Sequence, residues 1–155
     1  MDTYAVKGLQ SGQIQFLYAP THLNPTYEYG VTFERGTAVT YGDRKQIFIS
    51  GTASIDNQGE IMYPGDILKQ TERMLENIDT LLQEAGGGLQ DIMQAIVYLR
   101  DPADYVVVKQ YIESRYPSFL HLIVHAPVCR PGWLIETECI AVIPADAPQY
   151  AYCLL

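Results

Sequence analysis

The segment Cys129-Arg130-Pro131-Gly132-Trp133-Leu134-Ile135-Glu136-Thr137-Glu138 gathers the side chains best able to do chemistry in this sequence. The run from Trp133 to Ile143 reads as a strand. In it Leu134, Glu136, Glu138 and Ile140 share one face, and Trp133, Ile135, Thr137 and Cys139 share the other. The apolar set is the natural partner for helices, which leaves Glu136 and Glu138 on the opposite face, about 7 Å apart. If assembly partly desolvates that face, a carboxyl pKa rises and Glu136 becomes a candidate general acid. The alternative is that both glutamates are solvated, or pair with arginine across an interface.

Cys129 is a candidate site residue because the guanidinium of Arg130 beside it can lower a thiol pKa; as a lone cysteine it can equally be inert packing. Arg130 has a planar fork suited to a substrate carboxylate, or it bridges to Glu136 or Glu138. Trp133 and Cys139 fall on the helix-facing side as core, and Trp133 is also carried as a substrate-binding candidate. His121 and His125 share a strand face but have no clear third ligand, so they read as hydrogen-bonded core or interface residues, and no metal or other cofactor is expected. Tyr18, Tyr27 and Tyr29 can line a pocket or form a docking surface. Cys153 has no evident role.

The elements that must position these residues are legible. Gln13 to Tyr18 alternates, with Ile14, Phe16 and Tyr18 on a face expected to be buried. Thr37 to Tyr41 and Gln46 to Ser50, joined by Gly42-Asp43-Arg44-Lys45, read as a hairpin. A helix capped by Asp66 carries Ile67, Met74, Leu75, Ile78, Leu81 and Leu82 at three- and four-residue steps and stops at Gly86-Gly87-Gly88. Ile92 to Leu99 is a strand. Asp101 and Pro102 start a second helix that turns Tyr105, Val108, Ile112 and Tyr116 inward and ends at Pro117. Phe119 to His125 and Trp133 to Ile143 complete the set. The order predicts an α+β fold, a mixed sheet with both helices on one face. The bare face then calls for cover, and self-association supplies it.

Composition narrows the function. Ten Lys+Arg against 18 Asp+Glu give a net charge of −8, which opposes binding to phosphate backbones and anionic lipid. Only 18% of residues are charged while 48% are hydrophobic, a balance that suggests part of the exterior is covered by another subunit. Three cysteines without a CxxC pair argue against disulfides or a thiolate zinc site and for a reducing compartment. With no apolar signal core from Met1 to Gln10 and no membrane-length run, the expectation is a cytoplasmic protein. GxGxxG, P-loop, GxSxG and HExxH motifs are absent from the sequence.

Ile49-Ser50-Gly51-Thr52-Ala53-Ser54-Ile55-Asp56, Gly59-Glu60, Gly65-Asp66 with Gln70-Thr71, Asn77-Ile78, Val97-Tyr98-Leu99-Arg100-Asp101 and Ile135-Glu136-Thr137-Glu138-Cys139-Ile140-Ala141 together resemble the YjgF/YER057c/UK114 family, also called RidA. The resemblance runs from Thr32 to Ile143. It divides the chain into an N-terminal extension over 1–31, with a strand and a loop, and a RidA-like region over 32–155, within one domain. It implies a chorismate-mutase-like fold and a homotrimer whose sheets line a central barrel, with small-molecule clefts between subunits. Family deaminases of enamines and imines grip the substrate carboxylate with an arginine whose position falls here at Leu122, and their cleft tyrosine falls at Phe33. Arg35, near Phe33, is a second candidate for binding an anion. Ala126-Pro127-Val128-Cys129-Arg130-Pro131-Gly132-Trp133-Leu134-Ile135-Glu136 is closer to the C-terminal half of the chorismatases, which are about twice this length. That likeness implies Glu136 as proton donor to a vinyl ether, Cys129 lining the site and Arg130 as an anion contact. The expected partner is a small carboxylate-bearing metabolite, with no nucleic acid and no membrane. A non-catalytic binding trimer and the endoribonuclease activity often attached to the family are the rival readings.

Overall fold

In a computed structural model, residues 5–151 of the chain are described. Eight principal elements follow one another: β1 (Ile14–Leu17), β2 (Gly36–Thr40), β3 (Arg44–Ala53), α1 (Ile67–Glu84), β4 (Ile92–Leu99), α2 (Tyr105–Arg115), β5 (His121–His125) and β6 (Ile135–Pro144). The strands form one sheet in the order β1-β2-β3-β6-β4-β5. All neighbours are antiparallel except β4 and β5.

Helix placement follows from the connections. β3 and β4 both run antiparallel to β6, so α1 joins parallel strands, as α2 does between β4 and β5. Both crossovers step the same way across the sheet, and their common right-handedness puts both helices on one face. α1 begins where the Asp66 carboxylate accepts the Lys69 backbone N–H at 3.0 Å. It ends at Gly86, whose φ of +90° suits a residue without Cβ. Its Met74, Leu75, Ile78, Leu81 and Leu82 are buried against Ile47, Ile49, Ile135, Cys139 and Ala141, each contributing roughly 1.5–3 kcal/mol.

The opposite face of the sheet has no helix. Ile14, Phe16, Phe48, Glu136, Glu138, Tyr98 and Leu122 lie there by register. This corrects one expectation: the alternation in β1 is present, but Ile14, Phe16 and Tyr18 are exposed, Phe16 by 49%. Gln13, Leu17 and Ala19 turn inward instead, because the core lies on the helix side of β1. Tyr105 is also exposed rather than inward. Pro102–Asp104 form a 3-10 turn, so the α-helix proper starts at Tyr105 with its inward stripe at Val108 and Ile112. The last two strands start two residues later than expected, at His121 and Ile135. The loop after β1 is anchored to the domain: Ala19, Leu23 and Asn24 are buried, the first two within the main core. No helix among the described residues is long and apolar enough to cross a membrane.

Candidate functional site

A cavity of about 540 Å³ is lined by Val31, Phe33, Arg35, Ser50, Gly51, Cys129, Arg130, Trp133 and Glu136. Three pieces of chain build it: the segment before β2, the end of β3, and the loop that enters β6. The fold therefore brings together Glu136, Cys129, Arg130, Phe33, Arg35 and Trp133.

Glu136 stands on the helix-free face of β6, half-buried. Burial pushes its carboxyl above the ordinary glutamate value of 4.5. The backbone of Cys129 nearby pulls the other way, while the charge of Glu138 adds to the rise. Glu138 itself is exposed and accepts the Tyr98 hydroxyl at 2.9 Å. The two glutamates of the strand thus occupy different environments, with only Glu136 in the cavity.

The register between β3 and β6 shifts by one residue between Ile49↔Cys139 and Thr52↔Thr137. Ser50 and Gly51 together face Glu138, a β-bulge. It keeps Thr52 buried opposite Thr137 while delivering both Ser50 and Gly51 to the cavity. Neither was singled out above as a site residue. A Ser-Gly pair inside a β-branched run is the available signal for a bulge.

Arg35 is 95% buried, at 5% exposure. Its Nη2 donates to Asn24 O at 2.9 Å and Asn24 Oδ1 at 3.0 Å, and Nε to Asn24 O at 3.2 Å. Its guanidinium carbon lies 5.4 Å from the centre of the Phe33 ring. A second cavity of about 390 Å³, between the loop after β1 and Glu34, also has Arg35 in its wall, together with Tyr18 and Tyr27. Arg130 sits 5.2 Å from the centre of the Trp133 ring, and its Nη1 donates to Gly59 O at 3.3 Å.

Trp133 precedes β6 rather than belonging to it, so strand alternation does not apply. It packs on the core from the side and also lines the cavity. Cys139 is core, and burial pushes its thiol up to about 12. Cys129 is exposed. Leu122 shares the face of Glu136, but on β5, two strands away by register. It is 61% exposed and outside the cavity of its own protomer. His121 donates Nδ1–H to Phe119 O at 2.8 Å, a structural contact. No cluster of three potential metal ligands occurs among the described residues. Cys153 and the Tyr29 side chain lie outside what is described.

Residues 36–143 match the family model described as Endoribonuclease L-PSP. Over 97 residues the chain is 31% identical to the 3-aminoacrylate deaminase RutC of Acinetobacter baylyi, spanning 61% of this chain and 77% of that protein. It is 35% identical over 97 residues to a RutC family protein of Pyrococcus abyssi, spanning 61% and 76%. The crystal structure of RidA from an Antarctic Psychrobacter superposes with a TM-score of 0.68 at 24% identity, covering 83% of this chain and 99% of that one. With the family model covering most of the sheet and both helices, the chain belongs to the Endoribonuclease L-PSP family, the group also known as YjgF/YER057c/UK114 or RidA.

Proposed function

We propose that this protein is an acid catalyst acting on a small unsaturated carboxylate, with Glu136 as the proton donor. The observation that carries the reading is a half-buried glutamate of raised pKa in one cavity with Arg35 and Arg130. A carboxyl that holds its proton nearer neutrality can donate it, while a guanidinium holds an anionic substrate in place.

Two chemistries share this first step. In an enamine, the Glu136 proton goes to the β-carbon, the carbon–carbon π pair forms that C–H bond, and an iminium remains. Water adds to the iminium carbon, and ammonia leaves as the carbonyl forms. In an enol ether the same protonation gives an oxocarbenium ion, water adds, and the alcohol leaves. The name of the Acinetobacter relative supports the first, and the Cys129-to-Glu136 likeness to chorismatases supports the second. The hydroxyl of Ser50 and the Cys129 thiol complete the cavity wall in either case.

The apolar helix-free face, with Phe16, Val31, Phe33 and Leu122 exposed, supports a homotrimer in which that face is covered. Leu122 would then meet a cleft only across a subunit boundary. The free thiols of Cys129 and Cys139 support a cytoplasmic setting. RNA stands outside this reading, because a chain of net charge −8 repels it.

The test is turnover of 2-aminoacrylate, 3-aminoacrylate and chorismate by the wild type and by Glu136→Gln. At least one substrate should react, with a loss of about 100-fold or more in the variant. Equal rates for both proteins on every reacting substrate would overturn Glu136 as the acid. The apolar Leu122, where family deaminases place an arginine, favours a second reading: a trimer that binds a small acid without converting it. In that case ligand raises the melting temperature and no product forms.

A further inference from the structure

Arg35 and Asn24 both lie ahead of residues 36–143, the part of the chain that matches the family model. Arg35 is nevertheless tied to the strand beside Glu136. Its carbonyl accepts the Ser50 N–H at 3.1 Å, and the Ser50 hydroxyl donates to the neighbouring Glu34 carbonyl at 2.6 Å. Gly51, the next residue, leaves the space that the Glu136 carboxylate fills. The bulge thus sets Arg35 and Glu136 against one stretch of backbone, and both line the same cavity.

The side chain of Arg35 is held as well as its backbone. Asn24 accepts three N–H···O bonds from it, two at the main-chain oxygen and one at Oδ1. Asn24 is itself 3% exposed, and its Nδ2 donates to Glu28 Oε2 at 2.9 Å. With the amide nitrogen turned to a carboxylate, the amide oxygen is the end presented to the guanidinium. Gly59 packs close on the same amide, since a Cβ there would stand 2.7 Å from Nδ2.

A guanidinium fixed before a ligand arrives loses little freedom on binding, and one shielded from water holds an anion more strongly than an exposed one. Asn24 is also neutral. Its oxygens satisfy N–H groups without offsetting the cation, as a carboxylate would. Arg130 is placed differently: it is half-buried, stacks on Trp133 and reaches Gly59 O at 3.3 Å. The acidic groups near Arg35 are Glu34 in the wall of the adjoining cavity, Glu28 beyond Asn24, and Glu136.

We propose that Arg35 is the carboxylate anchor of the Glu136 cavity and that Asn24 is its positioning residue. The contacts stand by themselves, while the role given to them rests on the cavity taking an anionic substrate, as proposed above. With the anchor supplied from the segment before β2, Leu122 on β5 is not called on for charge.

The experiment titrates pyruvate, a small carboxylate, into the wild type and variants, reading affinity by calorimetry and the Arg35 Nε–H by nitrogen-15 NMR. In the wild type that signal should shift as pyruvate binds. The double variant Asn24→Asp/Glu28→Gln exchanges amide and acid, so the new carboxylate keeps both contacts but offsets the guanidinium charge. Its affinity should fall about tenfold or more relative to Glu28→Gln alone, with the melting temperature holding. A merely structural Asn24 predicts undiminished affinity. Arg35→Lys should lose at least as much, because an ammonium lacks the planar fork; where that variant does not fold, the double variant decides. Arg130→Gln, which removes a half-exposed cation, should lose less than about threefold. The proposal is overturned by an Arg35 signal that pyruvate leaves unmoved, by undiminished affinity in the double variant, or by an equal loss in Arg130→Gln. No turnover enters these measurements, so they hold or fail separately from Glu136 as the acid. Where turnover is found, KM in the double variant should rise about tenfold with kcat steady.

Discussion

The Glu136 carboxylate occupies the space that a side chain at Gly51 would need. A Cβ built on Gly51 would overlap Glu136 Oε1. Gly51 is not among the residues of positive φ, so packing rather than backbone conformation calls for glycine there. Gly51→Ala should therefore displace the flexible end of Glu136 while leaving the strand intact. Turnover should drop by about 100-fold, with stability within about 1 kcal/mol of the wild type. Parallel kinetics and urea unfolding check this. Full activity would mean that the carboxylate works from another rotamer.

A raised Glu136 pKa is also a statement about stability. Between the ordinary value of 4.5 and the raised one, the folded protein binds more proton than the unfolded chain, so this group's contribution falls as pH climbs through that window. Burial of the charged form is the main cause. Glu136→Gln should thus melt higher than the wild type at neutral pH, with the gap closing as pH drops below 4.5. Calorimetry over a pH series reads it directly, and a gap independent of pH would contradict the assignment.

Cys129 acts on the Glu136 carboxyl through its backbone rather than its thiol. Replacing the thiol by a hydroxyl leaves that backbone in place. Cys129→Ser should keep turnover within about tenfold of the wild type, against the loss of 100-fold or more expected of Glu136→Gln. Covalent chemistry at sulfur predicts the reverse ordering, with the serine variant inactive.

Phe16 is 49% exposed on the helix-free face, in line with Ile14 and paired by register to Thr37 on β2. Phe16→Glu would put a charge into any interface formed there, and an unpaired buried charge costs several kcal/mol. Sedimentation should show the assembly dissociating at concentrations about 100-fold higher than for the wild type. An unchanged profile would move the interface off this edge of the sheet.

Much of the framework is readable from local pattern. The α1 stripe, its Asp66 cap and the strand from Ile92 to Leu99 follow directly from spacing and turn residues. Pattern alone cannot say which face of β1 meets the core when both faces carry apolar residues. That is why Ile14, Phe16 and Tyr18 fall on the unexpected side. Glu136, Cys129 and Arg130 are visible in the sequence because they are close together along it. The bulge at Ser50 and Gly51 is less so, since its register is set by pairing with a strand some 85 residues later. Arg100, whose guanidinium donates to the carbonyls of Val128, Arg130 and Trp133, gives no sequence signal for these contacts, because its partners are backbone.

The place of β6 in the sheet has a consequence for how the protein is made. The last strand to be synthesised among those described is inserted between β3 and β4, near the middle of the sheet. Until it emerges from the ribosome, β3 and β4 each present an open hydrogen-bonding edge, the kind of surface that recruits other chains. The nascent protein is therefore exposed to aggregation until β6 emerges. The same strand that closes this gap brings in Glu136, so the acid enters the site only as the sheet becomes whole.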